Sequence, residues 1–178
     1  MTYGINAQEI PVGDFQDLSD LHLSRASRFV RFCVRRRGYY RPRRWDHRQQ
    51  SSFVSSLLHF GHVFPIVLRQ MSPTEFEVFD GWQRIRAIRA FFNDEIPLPP
   101  LSSSTSQWLP YTPWHTANAG HSITGLSGYY SVLPANDQQF CKNVKLKADI
   151  IIGIGNENDP SHQNIARLLF YRFQSGMR

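Results

Sequence analysis

The chain has 178 residues, of which 41% are hydrophobic and 19% are charged, and its formal net charge is +6. This composition is typical of a folded domain and excludes a collagen-like or wholly disordered chain. No apolar run approaches the roughly 20 residues that a membrane-spanning helix needs, and the first residues do not resemble a signal peptide. With two cysteines, Cys33 and Cys141, neither a disulfide scaffold nor a zinc site is expected. We therefore expect an intracellular protein, cytoplasmic or nuclear, without a membrane partner.

The positive charge is concentrated in one window. Ten of the seventeen arginines lie between Arg25 and Arg48, and Asp46 is the only acidic residue there, so the window carries +9. The rest of the chain has ten basic and thirteen acidic residues and sums to −3. Such an arginine block predicts a polyanionic partner, either DNA, RNA or nucleotide phosphate. The alternatives are a solvated charged face and an acidic protein partner. The candidate nucleic-acid contacts are Arg35, Arg36, Arg37, Arg43 and Arg44.

The N-terminal part of the chain gives a weak secondary-structure signal. Residues 1–18 are polar and acidic, which predicts a loosely ordered arm before a single domain at residues 19–178. The apolar residues between Leu21 and Val34 fit a helix, but Phe29–Val34 also fits a strand with arginines on its outer face. We favour the helix.

The pattern is clearer from residue 46 onward. Asp46 is followed three residues later by Gln49, which is the spacing of a capping box and predicts a helix that ends at Gly61. Strands are expected at Val63–Leu68 and at Glu75–Phe79. The second strand alternates charged and apolar residues, so it is expected to be half-buried.

The second half of the chain adds further helices and a strand. A helix is predicted at Trp82–Phe92, followed by a long irregular insertion around residues 97–134 that is rich in proline, serine and threonine. A short helix at Asn136–Asn143, a strand at Val144–Ile154 and a helix that begins at Pro160 complete the prediction. Helices and strands therefore intermingle, and the fold class is mixed α/β (α+β) with a small sheet flanked by helices.

The segment Asp80-Gly81-Trp82-Gln83-Arg84 carries the clearest chemical signal, because a strand turns there through a glycine into a helix. The first N–H groups of such a helix point outward, and the helix dipole adds positive charge, so the turn predicts a phosphate site. Arg84 can reach the same anion, Gln83 offers a donor and an acceptor, and Asp80 could hold a metal or a water. The alternative is a plain turn in which Asp80 caps the helix.

Three segments, taken in order, resemble one family. They are Tyr40–Trp45, which is followed by Gln49-Gln50, then Asp80–Arg84, and finally Phe170–Gly176. The set is similar to the N-terminal domain of GmrSD-type restriction endonucleases, a group within the ParB/sulfiredoxin-like superfamily. The corresponding family motifs are Tyr-Gln-Arg-Pro…Trp, Asp-Gly-Gln-Gln-Arg and Phe-x-Arg-x-Asn/Gln-x-Gly.

The resemblance implies a fold and a function. It implies a ParB/sulfiredoxin-like sheet and a site that binds a nucleoside triphosphate with Mg²⁺ and helps to hydrolyse it in phage defence. The implied catalytic residues are Asp80, Gln83 and Arg84. The implied nucleotide-binding residues are Tyr40, Arg41, Trp45, Gly81, Gln83, Arg84 and Arg172. Arg41 and Arg172 are then expected to converge on the turn at residues 80–84. The family's nuclease domain has no counterpart in these residues, so a separate nuclease subunit is an implied partner.

Two departures from the family motifs bear on hydrolysis. Tyr40 precedes Arg41 without the intervening glutamine, and Trp82 replaces the first glutamine of Asp-Gly-Gln-Gln-Arg. The lost amide could have oriented a water or a phosphate, so hydrolysis is less strongly implied than binding. Trp82 could stack on a base, but we expect it to pack. Sulfiredoxins have their reactive cysteine at this position, so sulfinic-acid repair is not expected.

Neither a metal cluster nor a nuclease centre is expected. None of the seven histidines forms a recognised ligand pair. One carboxylate, one amide and one guanidinium at residues 80–84 lack the second carboxylate or histidine that would complete a nuclease centre. The expected function is binding of nucleotide phosphate with weak hydrolysis. The alternative is a degenerate, non-enzymatic module whose arginine block binds nucleic acid or a protein partner.

Overall fold

A computed structural model describes residues 4–16, 31–33, 45–61, 63–72, 75–99, 127–154, 156 and 158–174. Within these residues it contains five strands and four α-helices. In chain order they are β1 (Gly4–Pro11), β2 (Arg31–Cys33), α1 (His47–Phe60), β3 (Ile66–Ser72), β4 (Glu75–Asp80), α2 (Trp82–Phe92), α3 (Ala135–Asn143), β5 (Lys145–Ile152) and α4 (Pro160–Gln174). Short 3-10 helices occupy Val12–Phe15 and Tyr130–Val132.

The five strands form one mixed sheet in the order β1-β5-β3-β4-β2. Strands β3 and β4 form an antiparallel hairpin, β1 is antiparallel to β5, and β3–β5 and β4–β2 are parallel pairs. The predicted mixed α/β class, with a sheet flanked by helices, is therefore confirmed. Among the described residues, no helix combines the length and apolar character needed to cross a membrane.

The two faces of the sheet carry different cores. Alternate residues of a strand point to opposite faces, so Ile66 and Leu68 join the main core with α1 and α2. Val67, between them, joins a smaller cluster on the other face that includes Ala166 of α4. Helices α1 and α2 thus lie on one face, and α4 lies on the other. Leu168 of α4, which fits the apolar stripe of its helix, is 63% exposed.

A buried ion pair lies on the α4 side of the sheet. Arg69 of β3 is paired in register with Glu77 of β4, and Arg69 Nη1 donates to Glu77 Oε2 at 3.1 Å. Arg69 Nε also donates to the backbone carbonyl of Ile154 at 2.9 Å. The alternating pattern of β4 predicts a half-buried strand, but Glu77 is buried. The reason is its partner, because a charge can be buried when an opposite charge pairs with it.

The expectation of a loosely ordered N-terminal arm does not hold for the described residues 4–16. All eight residues of β1 pair with β5, and the backbone N–H of Val12 donates to the Val144 carbonyl at 2.7 Å. Val12 and Phe15 are buried. Composition alone misses this strand because an edge strand is held by backbone hydrogen bonds and exposes most of its side chains. The single domain at residues 19–178 stays a prediction.

Most other predicted elements are confirmed, with shifted ends. The exception is Arg31–Cys33, where the favoured helix is wrong and the chain forms a strand parallel to β4. Leu98 and Gly128 exchange backbone hydrogen bonds of 2.8 and 3.0 Å. They connect the two ends of the predicted insertion, whose central residues 100–126 lie outside the described residues.

Candidate anion site at the start of α2

Gly81 fixes the path of the chain from β4 into α2. Its φ is 102°, a region that favours glycine. A Cβ atom built there would lie 2.4 Å from Ile66 Cγ2, so the backbone of the turn packs directly on β3. As the N-cap residue, Gly81 offers no side-chain hydrogen bond to α2. The first N–H groups of α2 therefore lack a side-chain cap.

Arg84 ties the start of α2 to the loop before β3. Its Nη1 donates to the carbonyls of Phe64 and Pro65 at 2.7 and 2.6 Å, and its Nη2 forms an ion pair with Asp80 Oδ2 at 2.5 Å. Asp80 therefore neutralises Arg84 and is not the N-cap that the plain-turn alternative expects, because the N-cap is Gly81. Arg84 is still partly accessible, with 15% of its side chain exposed.

The amide groups of two glutamines hold Trp45 against this turn. Gln83 Oε1 accepts from the Trp45 backbone N–H at 3.3 Å, and Gln50 Nε2 donates to the Trp45 carbonyl at 3.1 Å. The Trp45 ring also packs on Phe53, with 5.4 Å between ring centroids. Trp45 precedes Asp46, the N-cap of α1, so its bond to Gln83 in the first turn of α2 brings the N-termini of the two helices close together. Trp82 is partly buried against the main core, which agrees with the expectation that it packs.

The charges at the two helix starts have an unusual arrangement. Asp46 closes the start of α1 in the predicted capping box, since its side chain accepts from the Gln49 N–H at 2.7 Å. Neither α1 nor α2 has an acidic residue in its first turn. Instead, Arg48 lies in the first turn of α1 and Arg84 in that of α2. A cation at the positive end of a helix dipole is unfavourable, by about 0.3–1 kcal/mol at an exposed position.

Several predicted site residues lie outside the described residues. These are Tyr40, Arg41 and the arginines Arg35, Arg36, Arg37, Arg43 and Arg44. Arg172 lies in α4, but its side chain is also outside the described part. The expected convergence of Arg41 and Arg172 on the Asp80–Arg84 turn therefore stays a prediction. Trp45, Gly81, Gln83 and Arg84 lie together as described above.

The described residues offer little other reactive chemistry. No group of three or more His, Cys, Asp or Glu side chains among them could hold a metal ion. Any Mg²⁺ at this turn would therefore rely on one carboxylate, Asp80, and on the phosphates that accompany it. Cys141 is fully buried, and burial raises the pKa of its thiol to about 12, so it is not a nucleophile at neutral pH.

Sequence reasoning missed two parts of this arrangement. The carbonyls of Phe64 and Pro65 are contacts of Arg84 that carry no side-chain signal. Gln50 was visible as the second residue of the Gln49-Gln50 pair, but its partner is a backbone carbonyl five residues earlier, which no motif reveals.

Comparison with protein families gives a match for part of the chain. Residues 29–101, which include β2, α1, β3, β4 and α2, match the ParB N-terminal domain. This part of the chain is ParB-like. The match supports the ParB/sulfiredoxin-like superfamily as the relationship of these residues, and it spans two of the three segments that carry the sequence resemblance. The comparisons with curated proteins and with solved structures gave no match.

Proposed function

We propose that the ParB-like part of this chain binds nucleotide phosphate at the start of α2. The observation that carries the proposal is the pair of adjacent helix N-termini with Arg48 and Arg84 in their first turns. The two helix dipoles and the exposed Arg48 favour an anion at these starts, although Asp80 already pairs with Arg84. The start of α1 is already capped by Asp46, so the uncapped N–H groups of α2 are the donors for that anion.

Weak hydrolysis with Mg²⁺ is the second part of the proposal. Asp80 supplies a carboxylate and Gln83 an amide, but both have protein partners, Arg84 and Trp45. Trp82 cannot provide the amide that the family motif has at its position. The protein is therefore expected to bind nucleotide but to hydrolyse it only slowly. No nuclease activity is expected from these residues.

Within the superfamily, we propose a relationship to the N-terminal domain of GmrSD-type restriction endonucleases. The support is the ordered set of motifs at Tyr40–Trp45, Asp80–Arg84 and Phe170–Gly176. A role in phage defence, together with a separate nuclease subunit, follows from that relationship. The intracellular location likewise stays a prediction.

The binding proposal can be tested by calorimetric titration with ATP, GTP, CTP and UTP in the presence of Mg²⁺. A thermal-shift experiment gives a second measurement, because a nucleotide at 100 times its Kd should add about 2.7 kcal/mol to the free energy of unfolding. Gln83→Glu keeps the acceptor for the Trp45 N–H but adds a negative charge, so it should weaken binding at least tenfold. Arg84→Ala should abolish binding. Arg86→Ala removes the same charge from the same helix two residues further on and should leave binding intact. Equal losses in Arg84→Ala and Arg86→Ala would refute the site.

The second candidate function is nucleic-acid or protein binding by the arginine block. The observation in its favour is the charge of +9 between Arg25 and Arg48. Counterion release predicts that log K for DNA or RNA falls by several units for each unit of log salt concentration. Neutralising Arg35, Arg36 and Arg37 together should flatten this slope without changing nucleotide binding. A flat salt response of the unaltered protein would remove nucleic acid from the list of partners.

A further inference from the structure

Phe64 has an exposed aromatic side chain, and its backbone carbonyl contacts Arg84 of the proposed phosphate site. It is 85% exposed, the largest value among the exposed large hydrophobic side chains of the described residues. Its neighbours in the loop, Val63 and Pro65, are half-buried. Exposure of one apolar side chain is common in proteins, so its significance depends on what holds it and on what lies beside it.

Two features fix the backbone of the loop that carries Phe64: hydrogen bonds from Arg84 and the restricted conformation of Pro65. Arg84 Nη1 binds the carbonyls of Phe64 and Pro65 at 2.7 and 2.6 Å. Pro65 restricts its own φ and disfavours helical conformations at Phe64. The backbone of Phe64 is therefore anchored where its ring is presented to solvent.

The guanidinium that anchors this loop also lies in the first turn of α2. The Phe64 backbone is consequently within hydrogen-bonding distance of a group that the proposed function assigns to phosphate binding. A phosphate at the uncapped N–H groups of α2 would place the rest of its nucleotide close to this loop. An aromatic face is a suitable surface for a nucleobase, because every base can stack on it.

We propose that the Phe64 ring is the stacking platform for the nucleobase of a ligand whose phosphate binds at the start of α2. This inference rests on the proposed function and extends it from phosphate to nucleotide. The shared chemistry is a planar base attached to a phosphate, supplied by a free nucleoside triphosphate or by a single-stranded oligonucleotide. Because stacking tolerates every base, the four nucleotides should bind with similar affinity.

The test is calorimetric titration with three probes: inorganic tripolyphosphate, ATP with Mg²⁺, and a short single-stranded oligonucleotide. Phe64→Ala should raise the Kd for the base-containing ligand about 5- to 150-fold and leave that for tripolyphosphate unchanged. Phe64→Trp should retain binding. The control is Tyr129→Ala, which removes an exposed aromatic ring close to the other end of α2, where Ser131 N–H donates to Asp94.

The results separate the two proposals. A loss confined to ATP, or to the oligonucleotide, supports the platform and identifies its ligand. If Phe64→Ala changes no Kd, or weakens tripolyphosphate as much as ATP, the platform is overturned while the phosphate site stands. If the unaltered protein binds none of the three probes, the proposed function itself fails, and the platform fails with it.

Discussion

The starts of α2 and α4 both follow a strand of the same sheet, but they satisfy their backbone N–H groups differently. Asp159, immediately before α4, accepts from the Ser161 N–H at 2.8 Å and from the Ser161 hydroxyl at 2.5 Å. Its other oxygen lies 3.7 Å from His162 Nε2. The start of α2 has Gly81 as its N-cap and no side-chain cap, and the neighbouring Asp80 pairs with Arg84. One helix start is closed by its own side chains, and the other is left open.

This difference is more informative than either helix alone. A helix N-terminus attracts anions in any protein. Of the four described α-helices, α2 and α3 lack a side-chain cap, but α3 has Asp137 in its first turn, whereas α2 has no acidic residue there. The chain can cap a helix, as α1 and α4 show. The open start is also the one whose first turn contacts Trp45, next to the N-cap of α1. Substitutions near each helix start test this difference.

The largest effect is expected on the closed side, at the buried ion pair beneath α4. Arg69 binds both Glu77 and the Ile154 carbonyl, which precedes α4 by a few residues. Arg69→Met would leave the Glu77 carboxylate buried without this partner, and we expect a loss of about 3–5 kcal/mol in the free energy of unfolding. Urea denaturation measures it.

The matched control removes both charges. Arg69→Met combined with Glu77→Leu replaces the pair by apolar side chains and should recover most of the lost stability. A double variant as unstable as the single one would show that the Ile154 contact, not the charge pair, matters most. In both variants nucleotide binding by the folded protein should be unchanged.

A smaller loss is expected at the open start. Gly81→Ala places a side chain at φ 102° and within 2.4 Å of Ile66 Cγ2, which should cost about 2–4 kcal/mol. Gly128→Ala is the matched control, since Gly128 has the same φ of 102° but its nearest side-chain atom, Val132 Cγ2, is 3.6 Å away. It should cost about 1–2 kcal/mol. Equal losses in urea denaturation would mean that contact with Ile66 does not determine the residue at position 81.

The smallest effect concerns the cap of α4. Hydrogen bonds from the Ser161 hydroxyl and N–H lower the pKa of Asp159 below its ordinary value. The stabilisation is therefore complete above the unfolded-state pKa of about 3.9 and is lost as the pH falls through the lower folded-state pKa. Asp159→Asn should remove this pH dependence from the thermal midpoint. Identical pH profiles for the two proteins between pH 2 and 6 would contradict the assignment.

Local sequence signals predicted the elements that are held by local interactions. The capping box at Asp46 and Gln49, the end of α1 at Gly61 and the strand-to-helix turn at Gly81 are all encoded within a few residues. Elements that depend on distant partners were missed. β1 and β2 are edge strands that exist through pairing with β5 and β4, and Glu77 is buried because Arg69 lies across from it.

The candidate site divides in the same way. The residues of the turn could be named from sequence, but their bonding could not. The Asp80–Arg84 ion pair spans only four residues, but the bond between Gln83 and the Trp45 N–H depends on the packing of α1 against α2. The same packing brings Arg48 and Arg84 to neighbouring helix starts, which is the basis of the proposed function.

The most direct test of the open helix start is a titration of isotopically labelled protein with tripolyphosphate, followed through its backbone amide resonances. The account predicts saturable shifts for the N–H groups of Trp82, Gln83 and Arg84. It predicts no comparable shifts for Ser161 and His162 at the closed start of α4. Shifts of equal size at both helix starts, or shifts that leave residues 82–84 unchanged, would contradict it.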